Sequence, residues 1–230
     1  MASEGYSSSY SVSPFRRGSR RGRSLFLQAF LADPSVVGSV VPSSKHLADA
    51  LVQPFRAQTS PANVLEIGAG TGVVTRRLGR ELGPKDQLSI CECQPALADH
   101  IERQVLAEPY FAPAVREGRV RLLRCPVQEI DPDERYDQII CGLPFTAFGP
   151  GDVSSILRLI RRSLLPGGTF SYFEYIALRR VKLAAATGKK RQRMRRVSAI
   201  LDAYIRRFEI GRRKVLINFP PAYARYWRFD

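Results

Sequence analysis

Short apolar runs alternate with longer amphipathic stretches through the middle of this chain. Val64-Leu65-Glu66-Ile67 reads as a buried strand, and from Val73 to Leu82 the apolar positions return at helical spacing. A second strand follows over Gln87–Cys91 and a second helix over Gln94–Leu106. Strands are predicted over Val120–Arg124 and Asp137–Cys141, then a helix over Asp152–Leu164. Leu165-Pro166-Gly167-Gly168 is a turn before a strand at Thr169–Tyr175. Strand–helix alternation of this kind predicts an α/β domain with a parallel sheet and helices on both faces.

The flanks follow other patterns. Residues 1–24 are rich in Ser, Gly and Arg and are expected to be disordered. Ser24–Ala32 is a short helix with Leu25, Phe26 and Phe30 on one stripe, stopped by Asp33-Pro34. A Ser/Gly/Pro loop leads to a helix over Lys45–Phe55, for which Pro42-Ser43-Ser44 would serve as a start signal. Residues 178–188 read as a break or a partly helical insert. Lys189–Glu209 is a helix with Met194, Val197, Ile200 or Leu201, Tyr204 or Ile205, and Phe208 on one face and Arg/Lys on the other. Val215–Asn218 is predicted to be the last strand, leading through Phe219-Pro220-Pro221-Ala222 into an aromatic, basic tail. The expected domains are 1–24, a helical lid or membrane segment at 25–58, and an α/β domain at 59–230 with a basic helical insert at about 179–213.

Charge changes the picture by its placement. The chain of 230 residues carries a net +15. Residues 179–214 hold fourteen Lys/Arg against Asp202 and Glu209, and residues 1–24 hold five Arg against Glu4. Residues 25–178 are nearly neutral, with fifteen basic and seventeen acidic side chains. Segregated basic segments point to a polyanionic partner, an anionic membrane surface or a nucleic acid. The four cysteines match no zinc spacing, and no metal is expected. They read as small core residues in a reducing cytoplasm.

The candidate chemistry starts at Glu66-Ile67-Gly68-Ala69-Gly70-Thr71-Gly72. A strand that ends in a glycine-rich turn and enters a helix lets backbone approach a ligand closely. Glu92 closes the next strand, twenty residues after Gly72, where an acidic side chain can accept hydrogen bonds from ribose hydroxyls. The alternative is a tight turn and a solvated strand end with no ligand. Gly-x-Gly-x-Gly after an acidic residue resembles motif I of the class I S-adenosylmethionine (SAM)-dependent methyltransferases. At the end of the fourth strand lies Gly142-Leu143-Pro144-Phe145. Adenine N6-methyltransferases place Asn or Asp at the first of these positions to bind the exocyclic amine, and Gly142 has no side chain to do so.

Two further segments narrow the resemblance: Asp33-Pro34 through Val37-Gly38-Ser39-Val40-Val41-Pro42-Ser43-Ser44-Lys45, and Asn218-Phe219-Pro220-Pro221-Ala222. With Gly142–Phe145, the set is similar to the bacterial phospholipid N-methyltransferases and ornithine lipid N-methyltransferases, from about residue 25 to the C-terminus. The resemblance implies a Rossmann-like class I methyltransferase fold, a mostly parallel seven-stranded sheet with helices on both faces. It implies SAM as cofactor. Glu66, Gly68 and Gly70 would line its methionine portion, Glu92 the ribose, Pro126 and Val127 the adenine, with Ala69 and Thr71 also at the cofactor. Gly142 and Leu143 would border the methyl, with Ser43 and Ser44 closing over it. The acceptor would be the amine of phosphatidylethanolamine or an ornithine lipid, methylated once or successively at the inner face of the cell membrane, against an anionic surface. Phe145 is the candidate aromatic wall. Tyr175, Tyr172 and Tyr223 are candidates to position the head group, and His46 or Glu174 to take the proton. The density of arginine keeps a second reading open, an rRNA or other nucleic-acid base methyltransferase.

Overall fold

The computed structural model describes residues 44–229. The basic segment 1–24, the predicted helix Ser24–Ala32 and Ser43 lie outside the described residues. The chain forms one seven-stranded sheet in the order β3-β2-β1-β4-β5-β7-β6. The strands are β1 (Asn63–Ile67), β2 (Gln87–Cys91), β3 (Val120–Leu123), β4 (Tyr136–Cys141), β5 (Leu164–Tyr175), β6 (Glu209–Val215) and β7 (Ala222–Arg228). The first five run parallel, and β7 is antiparallel to both β5 and β6. This is the mostly parallel, Rossmann-like sheet that the alternation predicted.

Helices α1 (Lys45–Leu51), α2 (Gln53–Arg56), α3 (Val73–Gly79), α4 (Pro95–His100) and α5 (Ala112–Arg116) are followed by α6 (Pro150–Ser163), α7 (Leu178–Ala185) and α8 (Gly188–Phe208). The predicted Lys45–Phe55 helix is split at Val52, next to Pro54, where a helix interior loses a donor. The predicted Gln94–Leu106 helix continues from α4 as a widened π turn over Ile101–Val105. Two apolar layers sandwich the sheet. Leu47, Leu51, Val64, Leu78, Leu88, Ile90 and Phe111 fill one layer. Leu65, Ile67, Ile139, Ile156, Ile160, Phe170 and Trp227 fill the other. Period-two alternation along β1 sends Val64 to the first layer and Leu65 and Ile67 to the second.

Three expectations are corrected. Val215–Asn218 is not the last strand: Val215 ends β6, and residues 216–221 form a loop. The aromatic tail is instead β7, inserted between β5 and β6. Its two faces explain the pattern, since Ala222, Ala224 and Tyr226 enter one layer while Trp227 and Phe229 enter the other. Leu165–Gly168 is not a turn ahead of a strand but an interruption within β5, whose register to β4 shifts between Tyr136 and Gln138. Finally, α7 and α8 are the crossover from β5 to β6, so the basic segment is part of the wound fold.

Segment 44–56 packs into the same core as the sheet, with Leu47, Ala50, Leu51 and Val52 fully buried. Ser44 caps α1, its Oγ accepting from the Leu47 N–H at 3.2 Å. The Ser44 N–H donates to Asn218 Oδ1 at 3.0 Å, and Asn218 Nδ2 donates to the Pro220 carbonyl at 2.7 Å. Tyr226 adds a second tie, donating to the Ala50 carbonyl at 2.7 Å. Asn218 is only 3% exposed, so losing its amide leaves buried groups without partners. Asn218→Ala is predicted to cost about 1–3 kcal/mol of stability in urea unfolding. A loss below about 0.5 kcal/mol, the scale of an ordinary surface substitution, would show that this bridge does not hold the loop to α1.

Candidate active site at the sheet's switch point

The strand order reverses between β1 and β4, the place where open parallel sheets take a ligand outside the carboxyl ends of their strands. Backbone bonds tie the strand ends together there. The Gly68 N–H donates to the Cys91 carbonyl at 2.8 Å and the Gly142 N–H to the Ile67 carbonyl at 2.7 Å. Gly142 is a packing requirement, because a Cβ there would stand 2.5 Å from the Gly68 carbonyl oxygen. An Asn or Asp at this position would collide with backbone, so no amine-binding side chain fits at the end of β4. Gly68 has φ +72°, and a Cβ on it would meet Leu143 Cδ2 at 2.7 Å.

The glycine turn is held from β2. Glu92 Oε2 accepts the Gly70 N–H at 2.8 Å, and its Oε1 accepts the Gln94 N–H at 2.9 Å. Glu92 is 5% exposed and keeps unused lone pairs on both oxygens. A Cβ on Gly70 would meet nothing within 4 Å, so the turn faces open space. Ala69 is buried and Thr71 exposed. Val127 is buried and Pro126 half-buried, at the start of a 3₁₀ turn after β3. Open space over a glycine turn, flanked by two carboxylates and an apolar wall, fits a nucleoside carrying an amino-acid group.

Glu66 is buried beneath this turn. Thr75 Oγ1 donates to its Oε2 at 2.7 Å. Burial pushes the Glu66 carboxyl up to about 7, Thr75 opposes the shift, and the nearby Glu92 charge adds to it. Thr75 was missed in the sequence; only its place in the first turn of α3 could have suggested it.

The second cluster lies at the ends of β4 and β5. Phe145, Tyr172, Tyr175, Glu174 and Arg179 border a cavity of about 20 Å³, room for about one water. Phe145 meets the Tyr172 ring edge-on at 5.5 Å between centroids. Phe145, Tyr172, Tyr175 and Glu174 therefore border one cavity, but Tyr175 packs in the opposite apolar layer, edge-on to Phe173, and of these only Phe145 and Tyr172 share a ring contact. His46 is half-buried in the first turn of α1 and does not line this cavity. The guanidinium groups of Arg212 and Arg225 each lie over the Tyr223 ring, at 5.1 and 5.3 Å from its centroid. Ser44 is a helix cap, and Ser43 lies outside the described residues.

Glu174 is not a free base. Its Oε2 accepts from Arg225 Nε at 2.7 Å and its Oε1 pairs with Arg179 Nε at 2.8 Å. Arg179 also pairs with Asp202 at 2.7 Å, and Arg225 with Glu209. Both carboxylate oxygens of Glu174 are thus engaged by arginines. This network, reaching from β5 to α7, α8, β6 and β7, was invisible in the sequence because its members lie up to fifty-one residues apart. Among the described residues no three His, Cys, Asp or Glu side chains could together hold a metal ion.

Known proteins agree with this geometry. Residues 64–168 match the sequence model of a methyltransferase domain. The chain is 29% identical over 147 residues to an ornithine lipid N-methyltransferase from Singulisphaera acidiphila, covering 64% of this chain and 74% of that protein. It is 35% identical over 128 residues to the biotin biosynthesis bifunctional protein BioCD of Bordetella avium, covering 55% of this chain but only 25% of that protein. The fold is shared with a 1,6-didemethyltoxoflavin N1-methyltransferase from Burkholderia thailandensis crystallised with S-adenosylhomocysteine, at 20% identity and a TM-score of 0.52 over 95% of this chain and 92% of that one. The chain is a methyltransferase, and its cofactor is SAM.

Glu66 sets a pH dependence of the ligand-free protein. Below about pH 4.5 the group carries its proton both folded and unfolded. Between there and about pH 7 the unfolded chain loses the proton and the folded chain keeps it, so stability falls as pH rises. The predicted loss is about 3 kcal/mol, at about 1.4 kcal/mol per pKa unit. In urea unfolding at pH 5 and pH 8, Glu66→Gln should reduce this loss relative to the parent chain. Identical pH profiles for the two would remove the buried, proton-holding carboxyl from the account.

Proposed function

We propose that this SAM-dependent methyltransferase transfers methyl groups to the amine of a membrane lipid head group, of the phosphatidylethanolamine or ornithine lipid class, while peripheral on an anionic membrane. The observation that carries the reading is the convergence of three segments on one edge of the sheet. The Ser44 segment is bonded to Asn218 at 3.0 Å, and the Ile176 N–H donates to the Pro221 carbonyl at 2.8 Å. Gly142–Phe145 ends β4 at that same edge. These are the segments behind the similarity to lipid N-methyltransferases, and the 29% identity to an ornithine lipid N-methyltransferase supports the same class. Among the described residues no helix is long and apolar enough to cross a membrane, so contact would be peripheral.

In this reading Glu66, Gly68, Ala69, Gly70 and Thr71 hold the methionine portion of the cofactor. Glu92 holds the ribose, Pro126 and Val127 the adenine, and Gly142 and Leu143 border the reacting methyl. SAM supplies a methyl on a sulfonium sulfur, and a neutral amine displaces it in line. An alkylammonium must lose its proton first, and with Glu174 committed to two arginines that proton passes to solvent. Phe145, Tyr172 and Tyr175 then do positional work. An aromatic wall would favour the cationic methylated product, and orientation of the nitrogen rather than acid–base chemistry lowers the barrier. The missing side chain at Gly142 suits an acceptor that brings its own flexible tether and needs no base-edge recognition.

Two measurements test this reading. Expressed in a bacterium without methylated lipids and fed labelled methionine, the chain should place label in methylated phosphatidylethanolamine or ornithine lipid. Labelled RNA beside unlabelled lipid, from folded protein, would transfer the assignment to the nucleic-acid reading. SAM affinity by calorimetry should rise as pH increases towards about 7, because the cation favours ionised Glu66, by at most about tenfold per pH unit. Glu66→Gln should bind more weakly and without that slope. An unchanged slope would place the cofactor's cationic groups away from Glu66.

A further inference from the structure

The loop between β6 and β7 displays apolar side chains where the pattern predicts burial. Leu216, Ile217 and Phe219 are 61%, 75% and 79% exposed. Between them Asn218 is buried and bonded inward to Ser44 and Pro220. The loop is thus fastened at its centre, and its three apolar side chains are held outward. Leaving them in water costs stability, and a rigid platform prevents the collapse that would hide them.

Topology fixes where this tip stands. β6 runs parallel to β5 through the antiparallel β7, so the loop leaves the same edge as the carboxyl ends of β1, β2, β4 and β5. That edge carries the glycine turn and the aromatic cavity. Val181 on α7, which springs from the end of β5, is also exposed, at 59%.

Basic side chains surround the tip. Arg212, Arg213 and Lys214 are exposed on the strand that feeds it. α8 begins after β5 and α7 and ends at the start of β6, so its first turns lie towards the cofactor edge. There Lys189, Lys190, Arg191, Arg195 and Arg196 are exposed. No acidic residue occupies the first turn of α8, so these cations face the positive end of the helix dipole uncompensated. Phosphate groups would relieve that repulsion. RNA phosphates would meet the charges but leave Leu216, Ile217 and Phe219 in water, whereas an anionic bilayer meets both.

We propose that the Leu216–Phe219 loop is a membrane-insertion device: its apolar tip enters the interfacial layer of an anionic bilayer, and the basic residues of β6 and α8 engage the phosphates. The edge that carries the glycine turn and the aromatic cluster then faces the membrane, and a head group reaches it without the lipid leaving the bilayer. Its purpose rests on the lipid-amine reading, but its physical claim does not.

The test uses the full chain carrying Phe219→Trp, with emission recorded on phosphatidylglycerol vesicles, on phosphatidylcholine vesicles and with a single-stranded RNA. The expected result is a blue shift, and quenching by brominated acyl chains, on the anionic vesicles alone. A second variant, Leu216→Ser with Ile217→Ser and Phe219→Ser, should lose about tenfold or more in partitioning onto those vesicles, with melting and SAM binding unchanged. An unshifted indole on vesicles that nevertheless retain the protein would overturn the proposal, as would a shift produced by RNA and not by vesicles. Methylation of detergent-dispersed lipid beside an unshifted indole would overturn insertion and leave the substrate reading standing. A shifted, quenched indole without any labelled lipid would support insertion and sink the substrate reading.

Discussion

The contact on which this molecule depends is between two backbones. At the switch point, β4 comes so close to the end of β1 that Gly142 has no room for a side chain against the Gly68 carbonyl. Gly68 in turn is bonded to Cys91 at the end of β2, so three strands meet in one backbone junction. That closeness lays Leu143 over the glycine turn and sets Phe145 against Tyr172. Glu92 completes it by holding the Gly70 N–H. The candidate ligand site there results from packing geometry. It also gives Gly142 a steric reason that is independent of the acceptor: the site lacks an amine-binding side chain because the sheet could not close around one.

Charge is distributed to match. Glu66 is buried with its carboxyl raised to about 7, ready to answer a cationic ligand, while Glu174 is spent on Arg179 and Arg225. On the proposed acceptor side the rings stand beside a carboxylate already paired with arginines, which would suit a product that gains positive charge with methylation. Exposed cations are concentrated outside the cleft, on β6 and the start of α8. The glycine turn, the aromatic cavity and the apolar loop all lie at the same edge of the sheet.

Much of the fold was legible because its signals are local. β2 lies where the apolar run placed it, and α8 within one residue of its predicted bounds at each end, since three-to-four spacing of Met194, Val197, Leu201 and Phe208 is read within one helix. Glu66, the glycines and Glu92 were legible as a spaced motif. β7 was not. Its Tyr223, Arg225 and Trp227 look like a solvent-facing tail until Glu174 and Glu209, far away in sequence, neutralise Arg225 and bury it. The stretch Val215–Asn218 was misread for the opposite reason. Apolar residues there predict a buried strand, and the structure buries Val215 but exposes Leu216 and Ile217, a conflict between local pattern and fold of the kind expected at functional surfaces.

The central claim is that a SAM site at the β1–β4 junction serves an amine presented by a membrane. The most direct measurement places the purified chain with methyl-labelled SAM, vesicles containing phosphatidylethanolamine and ornithine lipid, and RNA in a single vessel. The account predicts that label accumulates in lipid amines and leaves the RNA blank. Label in the RNA, or none in lipid from protein that binds SAM and stays folded, would contradict it.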